Sequence, residues 1–281
     1  MSSFIITFRE TLESSLIVGI VLAFLKKTKN QKYNKVVYLA VALSLFFSFL
    51  FAFVFLKVYG SFSGKAEEIF EGITMIIGSF LLTTMILWMF NNQNIKKELQ
   101  NKVSENLSKE NVIGIFLLVF FSILREGIET VIFLFAASFL SASNNLFSAI
   151  LGIITALIIG YLFYNASLKL NVKLFFNITS ILLIFFAAGL LAHGIHELEE
   201  AGIVNPIIKE IWNLNPTASE ADKGIYPIMH EKGLIGSILV SLFGYNANPS
   251  LLEFIFYISY FVIIFFSYIF IKKKSIKKEK T

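Results

Sequence analysis

Cysteine is absent from all 281 residues. Disulfides, thiolate metal sites and c-type haem attachment are therefore excluded, and any metal this chain holds must take oxygen or imidazole ligands. Arginine is nearly absent too: it occurs at positions 9 and 125 and nowhere else, so the rest of the 24 basic residues are lysines. Charged residues make up only 15%, and all four prolines fall between 206 and 249. What remains is 56% hydrophobic, with 32 phenylalanines and a mean hydropathy of +0.75, outside the range of soluble domains. The chain reads as an all-α integral membrane protein. Its pI of about 9.2 would suit a nucleic-acid binder, but the lysines cluster between apolar runs, which is the pattern of membrane orientation. The expected partner is a lipid bilayer and not nucleic acid.

Apolar runs long enough to cross a ~30 Å core lie near residues 3–25, 36–58, 67–90, 112–140, 146–168, 174–196 and 251–271. They predict seven transmembrane helices. The first lacks a basic leader and carries charges in its own body, so it reads as a helix and not as a signal peptide. Lysines after the first, third, fifth and seventh runs fall on one side. The positive-inside rule makes that side the cytoplasm of a cell membrane, with the N-terminus outside and the C-terminus inside. The organisation expected is a first repeat at 1–110, a second at 111–200, an extracytoplasmic segment at 201–250 and a final span with a Lys-rich tail at 251–281. Short interfacial helices are expected at 203–212 and 233–243, and Ser250 with Glu253 fits a capping box opening the last span.

Arg9-Glu10-Thr11-Leu12-Glu13 and Arg125-Glu126-Gly127-Ile128-Glu129 each place three charges inside an apolar run. A charge at bilayer depth is expensive and marks function by default. The copies lie 116 residues and three helices apart, so their helices cross in opposite directions, as in an inverted repeat of three plus three helices followed by a seventh. Glu10 with Glu13, and Glu126 with Glu129, are i,i+3 pairs that share a helix face. Carboxylate oxygens suit a hard cation, and the arginines orient them. Four carboxylates and two guanidinium groups sum to minus two, which a divalent or trivalent cation offsets. The structural alternative, that each Arg-Glu pair only pins two helices, is weakened by the repetition at matched depth.

At the outer ends of the third and sixth helices, Glu67, Glu68 and Glu71 face His193, His196, Glu197 and Glu200 as a candidate loading mouth. Acids at a helix N-terminus also suit its dipole without any further role. A proton or other divalent-cation transporter would use the same intramembrane carboxylates. An intramembrane metalloenzyme is disfavoured because the His/Glu stripe lacks H-E-x-x-H order.

The paired R-E-x-x-E motifs, Glu71-Gly72, the Trp212–Pro216 stretch and the Gly244–Ser250 segment together resemble the oxidase-dependent high-affinity iron permeases, over nearly the whole chain. The resemblance implies a seven-helix permease, not an enzyme, that imports iron, usually described as ferric. Glu10, Glu13, Glu126 and Glu129 would be its metal residues, with Arg9 and Arg125 as the motif arginines. It implies iron as transported substrate, no tightly bound cofactor, and a separate ferroxidase or periplasmic iron-handling protein as partner. Only three residues precede the first helix, so no fused partner domain is expected.

Overall fold

The computed structural model describes residues 2–91, 95–140, 146–164, 172–216, 226–230 and 232–279. The described residues are almost wholly helical and contain no strand. The helices are α1 Ser2–Lys27, α2 Asn34–Tyr59, α3 Lys65–Asn91, α4 Ile95–Ser108, α5 Val112–Leu140, α6 Leu146–Tyr164, α7 Val172–Glu200, α8 Leu234–Phe243 and α9 Leu251–Glu279. Four of them, α2, α3, α7 and α9, are long and apolar enough to cross a membrane. The helices α1 and α5 match them in length but each carries the three motif charges. Large apolar side chains such as Phe49, Phe53, Ile158, Phe265 and Phe266 stand exposed on α2, α6 and α9, the outward face that a lipid-immersed bundle presents. In α7 61% of the apolar stretch is buried, against 17% in α2 and 11% in α9, so α7 is central and the other two are peripheral.

Three helix pairs pack most extensively: α1 on α6, α3 on α7 and α2 on α5. Each is stapled by a hydroxyl that donates to a carbonyl across the interface. Thr7 Oγ1 reaches Ala149 O at 2.9 Å, Ser79 Oγ reaches Ala187 O at 2.7 Å and Ser44 Oγ reaches Phe120 O at 2.9 Å. Small residues permit the approach, as expected where lipid supplies no hydrophobic drive between helices. At the α3–α7 crossing a Cβ on Gly72 would stand 2.8 Å from the Gly194 carbonyl oxygen, so the two backbones touch.

The buried apolar residues form two main clusters. One gathers Ile6, Met85, Phe133, Leu183, Leu190 and Tyr260 from α1, α3, α5, α7 and α9. The other gathers Val21, Leu25, Val37, Val103, Ile115 and Ile123 from α1, α2, α4 and α5. Along α1 the chain passes from the first cluster to the second. Along α5 it passes from the second to the first. Both motifs lie at the changeover, between Ile6 and Val21 on α1 and between Ile123 and Phe133 on α5.

Two elements differ from expectation. Residues 95–108, read as a lysine-bearing loop, form α4, whose Leu99 and Val103 are buried while Glu98–Lys102 and Glu105–Lys109 pairs line its wet face. The interfacial helix expected at 203–212 does not form. Pro206 interrupts that stretch, and its backbone bonds instead to the segment before α9: Ile211 N to Pro249 O at 2.9 Å, and Leu251 N to Ile208 O at 3.0 Å. The second expected helix is present as α8, closed by Gly244 at φ 61°. Gly189 of α7 packs on it, and a Cβ there would stand 2.4 Å from the Gly244 Cα. The last residues of the predicted fifth span, 165–168, lie outside the described set.

Candidate metal centre

Helical spacing turns Arg9 and Glu13, four residues apart, onto one face of α1, which is fully enclosed at Arg9 and partly open at Glu13. Arg9 is 0% and Glu10 1% exposed, and Glu126 and Glu129 are also buried. The Arg9 guanidinium holds both carboxylates of its own motif, with Nη1 2.9 Å from Glu10 Oε1 and Nη2 2.7 Å from Glu13 Oε1. It also donates to sulfur on α3, Nη1 to Met85 Sδ at 2.8 Å, with Met89 Sδ 3.9 Å from Nη2.

The second motif is arranged differently. Arg125 donates from Nε to Glu129 Oε1 at 2.7 Å, but its side chain is 51% exposed and its guanidinium lies over the Trp88 ring at 5.9 Å. Glu126 leaves its own arginine and joins the α1 acids. One oxygen each of Glu10, Glu13 and Glu126 lie within 4.8 Å of one another. Glu129 is not in that close group. Glu10 Oε2, Glu126 Oε2 and Glu129 Oε2 are buried without a hydrogen-bond partner.

Three clustered carboxylates against one fully buried guanidinium leave surplus negative charge and unfilled oxygen lone pairs. That is the donor set of a hard or borderline cation. Taking such charges out of water is strongly unfavourable unless a positive charge joins them.

At the expected mouth, Tyr59 of α2 donates its hydroxyl to Glu71 Oε1 at 2.6 Å and approaches Glu67 Oε1 at 3.1 Å. Glu197 lies against the backbone of Gly72, next to Glu71, at the α3–α7 contact. His196 Nε2 stands 3.4 Å from Glu200 Oε1. His193 and His196 turn toward Glu253 of α9, each with Nδ1 3.6 Å from one of its oxygens. Glu68 makes no ion pair among the described residues.

Sequence reasoning missed Met85, Met89 and Trp88 around the arginines. All sit in the last turns of α3, and an i,i+4 methionine pair in an apolar helix carries no signal of its own. It also missed Tyr59, Glu199 and Glu253. Ser250 does cap α9, since Glu253 N donates to Ser250 Oγ at 3.0 Å, but the Glu253 carboxylate turns to Asn246 Nδ2 at 3.0 and 3.2 Å and does not close the box.

With this geometry in hand, comparison with known sequences is decisive. The pattern of the iron permease FTR1 family matches residues 1–278. The chain belongs to that family. The ferrous iron permease EfeU of Escherichia coli O157:H7 is 32% identical over 256 residues, covering 89% of this chain and 88% of its own. Its namesake in Yersinia pestis is 30% identical over 270 residues, covering 94% and 92%. An uncharacterized protein of Archaeoglobus fulgidus is 31% identical over 264 residues, covering 92% and 91%. No solved structure matches. The FTR1-family chain is thus a multi-pass membrane protein of a permease family, with iron as the transported substrate that the family implies, and not a member of an enzyme family.

Proposed function

We propose that this permease imports iron through one site at mid-membrane, built by both R-E-x-x-E motifs, with Glu10, Glu13 and Glu126 as ligands and Glu129 as their neighbour. The observation that carries the reading is the meeting of three buried carboxylates, from α1 and α5, within 4.8 Å. Arg9 aims Glu10 and Glu13, and Arg125 steadies Glu129. The charge sum of minus two over both motifs matches a divalent ion. The relatives named ferrous iron permeases point the same way, so Fe²⁺ is the arriving species favoured over the ferric iron that the resemblance implied.

An inverted repeat would place both motifs around a single site. Exchanging α1 with α5, α2 with α6 and α3 with α7 turns the α1–α6 contact into the α2–α5 contact, and leaves α3–α7 and α1–α5 unchanged. The extensive pairings therefore obey the exchange, as an inverted repeat of three plus three helices would. Glu67, Glu71, Glu197 and Glu200 serve as the outer mouth, with Tyr59 bridging two of them. A separate periplasmic iron-handling partner would deliver Fe²⁺ there, whereas a ferroxidase, whose product is Fe³⁺, fits only the ferric reading.

The test is flux into proteoliposomes, comparing Fe²⁺ under anaerobic conditions, Fe³⁺, Mn²⁺ and protons in one preparation. Fe²⁺ uptake that falls at least about tenfold in Glu126→Gln is the expected result. Proton flux without iron flux would favour a proton transporter instead.

A further inference from the structure

The last turns of α3 bring three side chains, Met85, Trp88 and Met89, against the two motif arginines. They treat the arginines differently. Met85 and Met89, four residues apart on one face, meet the Arg9 guanidinium through sulfurs that are weak, uncharged acceptors. Arg9 stays on its own acids, 2.9 Å from Glu10 Oε1 and 2.7 Å from Glu13 Oε1. Trp88 offers Arg125 an aromatic face instead. The guanidinium carbon lies 5.9 Å from the ring centroid, inside the roughly 6 Å range of a cation–π contact.

The first motif is a control for the second. Arg9 and Glu10 are neighbours in sequence and their side chains pair, so an arginine of this motif can reach the acid that follows it. Arg125 does not. It pairs with Glu129 through Nε at 2.7 Å, and among the described residues no ion pair joins it to Glu126. Glu126 is thereby left to the α1 acids, with one oxygen within 4.8 Å of an oxygen each from Glu10 and Glu13, and its Oε2 is buried without a hydrogen-bond partner. Charge divides the same way. Arg125 with Glu129 is neutral, whereas the three carboxylates of Glu10, Glu13 and Glu126 against the one guanidinium of Arg9 leave minus two. A second guanidinium swung onto Glu126 would fill those lone pairs and cancel half of that charge, in direct competition with an arriving cation.

We infer that Trp88 is a positioning residue of the ion site: its ring parks the Arg125 guanidinium away from Glu126, so that the cation and not the arginine neutralises the three-carboxylate cluster. The inference rests on that cluster being the ion site proposed above. Trp88 acts through Arg125 and supplies no ligand, because an indole N–H only donates. The ring is 41% exposed, so replacing it opens no buried cavity.

The test is Mn²⁺ binding by equilibrium dialysis to the purified full-length chain in detergent, the motif ion being the one lost in Glu126→Gln. Trp88→Leu should weaken that ion about threefold or more, and Trp88→Phe, which keeps an aromatic face, should weaken it less. In an Arg125→Gln background there is no guanidinium to hold, and Trp88→Leu should leave the Mn²⁺ affinity unchanged. A packing role for the ring would weaken both backgrounds alike. Trp88→Met, with similar reach and no ring, is read beside Trp88→Leu in case the leucine variant does not fold. Equal weakening in the two backgrounds, or none in either, overturns the role of Trp88 while the ion site stands. If Glu126→Gln removes no Mn²⁺ from the otherwise native chain, the ion-site reading itself is overturned and the inference falls with it.

Discussion

Arg9 and Arg125 occupy the same place in two copies of one motif yet do different jobs. Arg9 is fully enclosed, binds two carboxylates and two methionines, and has no water to replace any of them. Arg125 is half-exposed and binds one. Lysine keeps the charge but not the planar fork that holds two acceptors in fixed geometry. Arg9→Lys should therefore cut iron uptake at least about tenfold at equal expression, and Arg125→Lys only a few-fold. Wild-type uptake by both variants would show that the arginines supply charge alone, and equal losses would contradict the difference drawn between them. At the mouth, replacing Glu71 and Glu197 by glutamine should raise the apparent KM for iron more than it lowers maximal uptake, because remote binding acts on loading. An unchanged KM would return both to a solvated surface. The motif charges were legible in sequence because a charge in an apolar run is conspicuous. The difference between the arginines was not, since it depends on how α3 brings Met85, Met89 and Trp88 against them, and helix rotation has no local code.

Helices of this kind are held less by apolar burial than by close approach and interhelical hydrogen bonds. The two contributions can be ranked. Gly189→Ala would drive a Cβ to 2.4 Å from the Gly244 Cα, an overpacking that costs about 1–3 kcal/mol. Ser79→Ala removes one staple to Ala187 O, worth about 0.6 kcal/mol. Thermal denaturation in detergent should place Gly189→Ala clearly below Ser79→Ala, and the reverse order would mean that the hydroxyl staples dominate. The long helices among the described residues were readable from run length, to within a few residues at most ends. Helix α4 was not, because its apolar residues are few, although its i,i+4 Glu–Lys pairs were present in sequence. The irregular course of 203–212 follows from pairing with residues 247–251, which no local pattern announces.

At the scale of the whole molecule, the proposed orientation rests on lysine placement. The absence of native cysteine gives thiol labelling no background. Glu105→Cys on α4 should resist impermeant reagents in intact cells, and Asn213→Cys should react. The opposite pattern would put the mouth on the cytoplasmic side. The central claim is that the two motifs serve one ion. Residues that share a ligand are coupled, whereas residues in separate sites are additive. Glu13→Asp and Glu126→Asp each withdraw a carboxylate by one methylene while keeping its charge, so uptake stays measurable. The deciding measurement is the double-mutant cycle on low-concentration iron uptake. One shared ion predicts a combined effect that departs from the sum by ~0.5 kcal/mol or more, and clean additivity would contradict it.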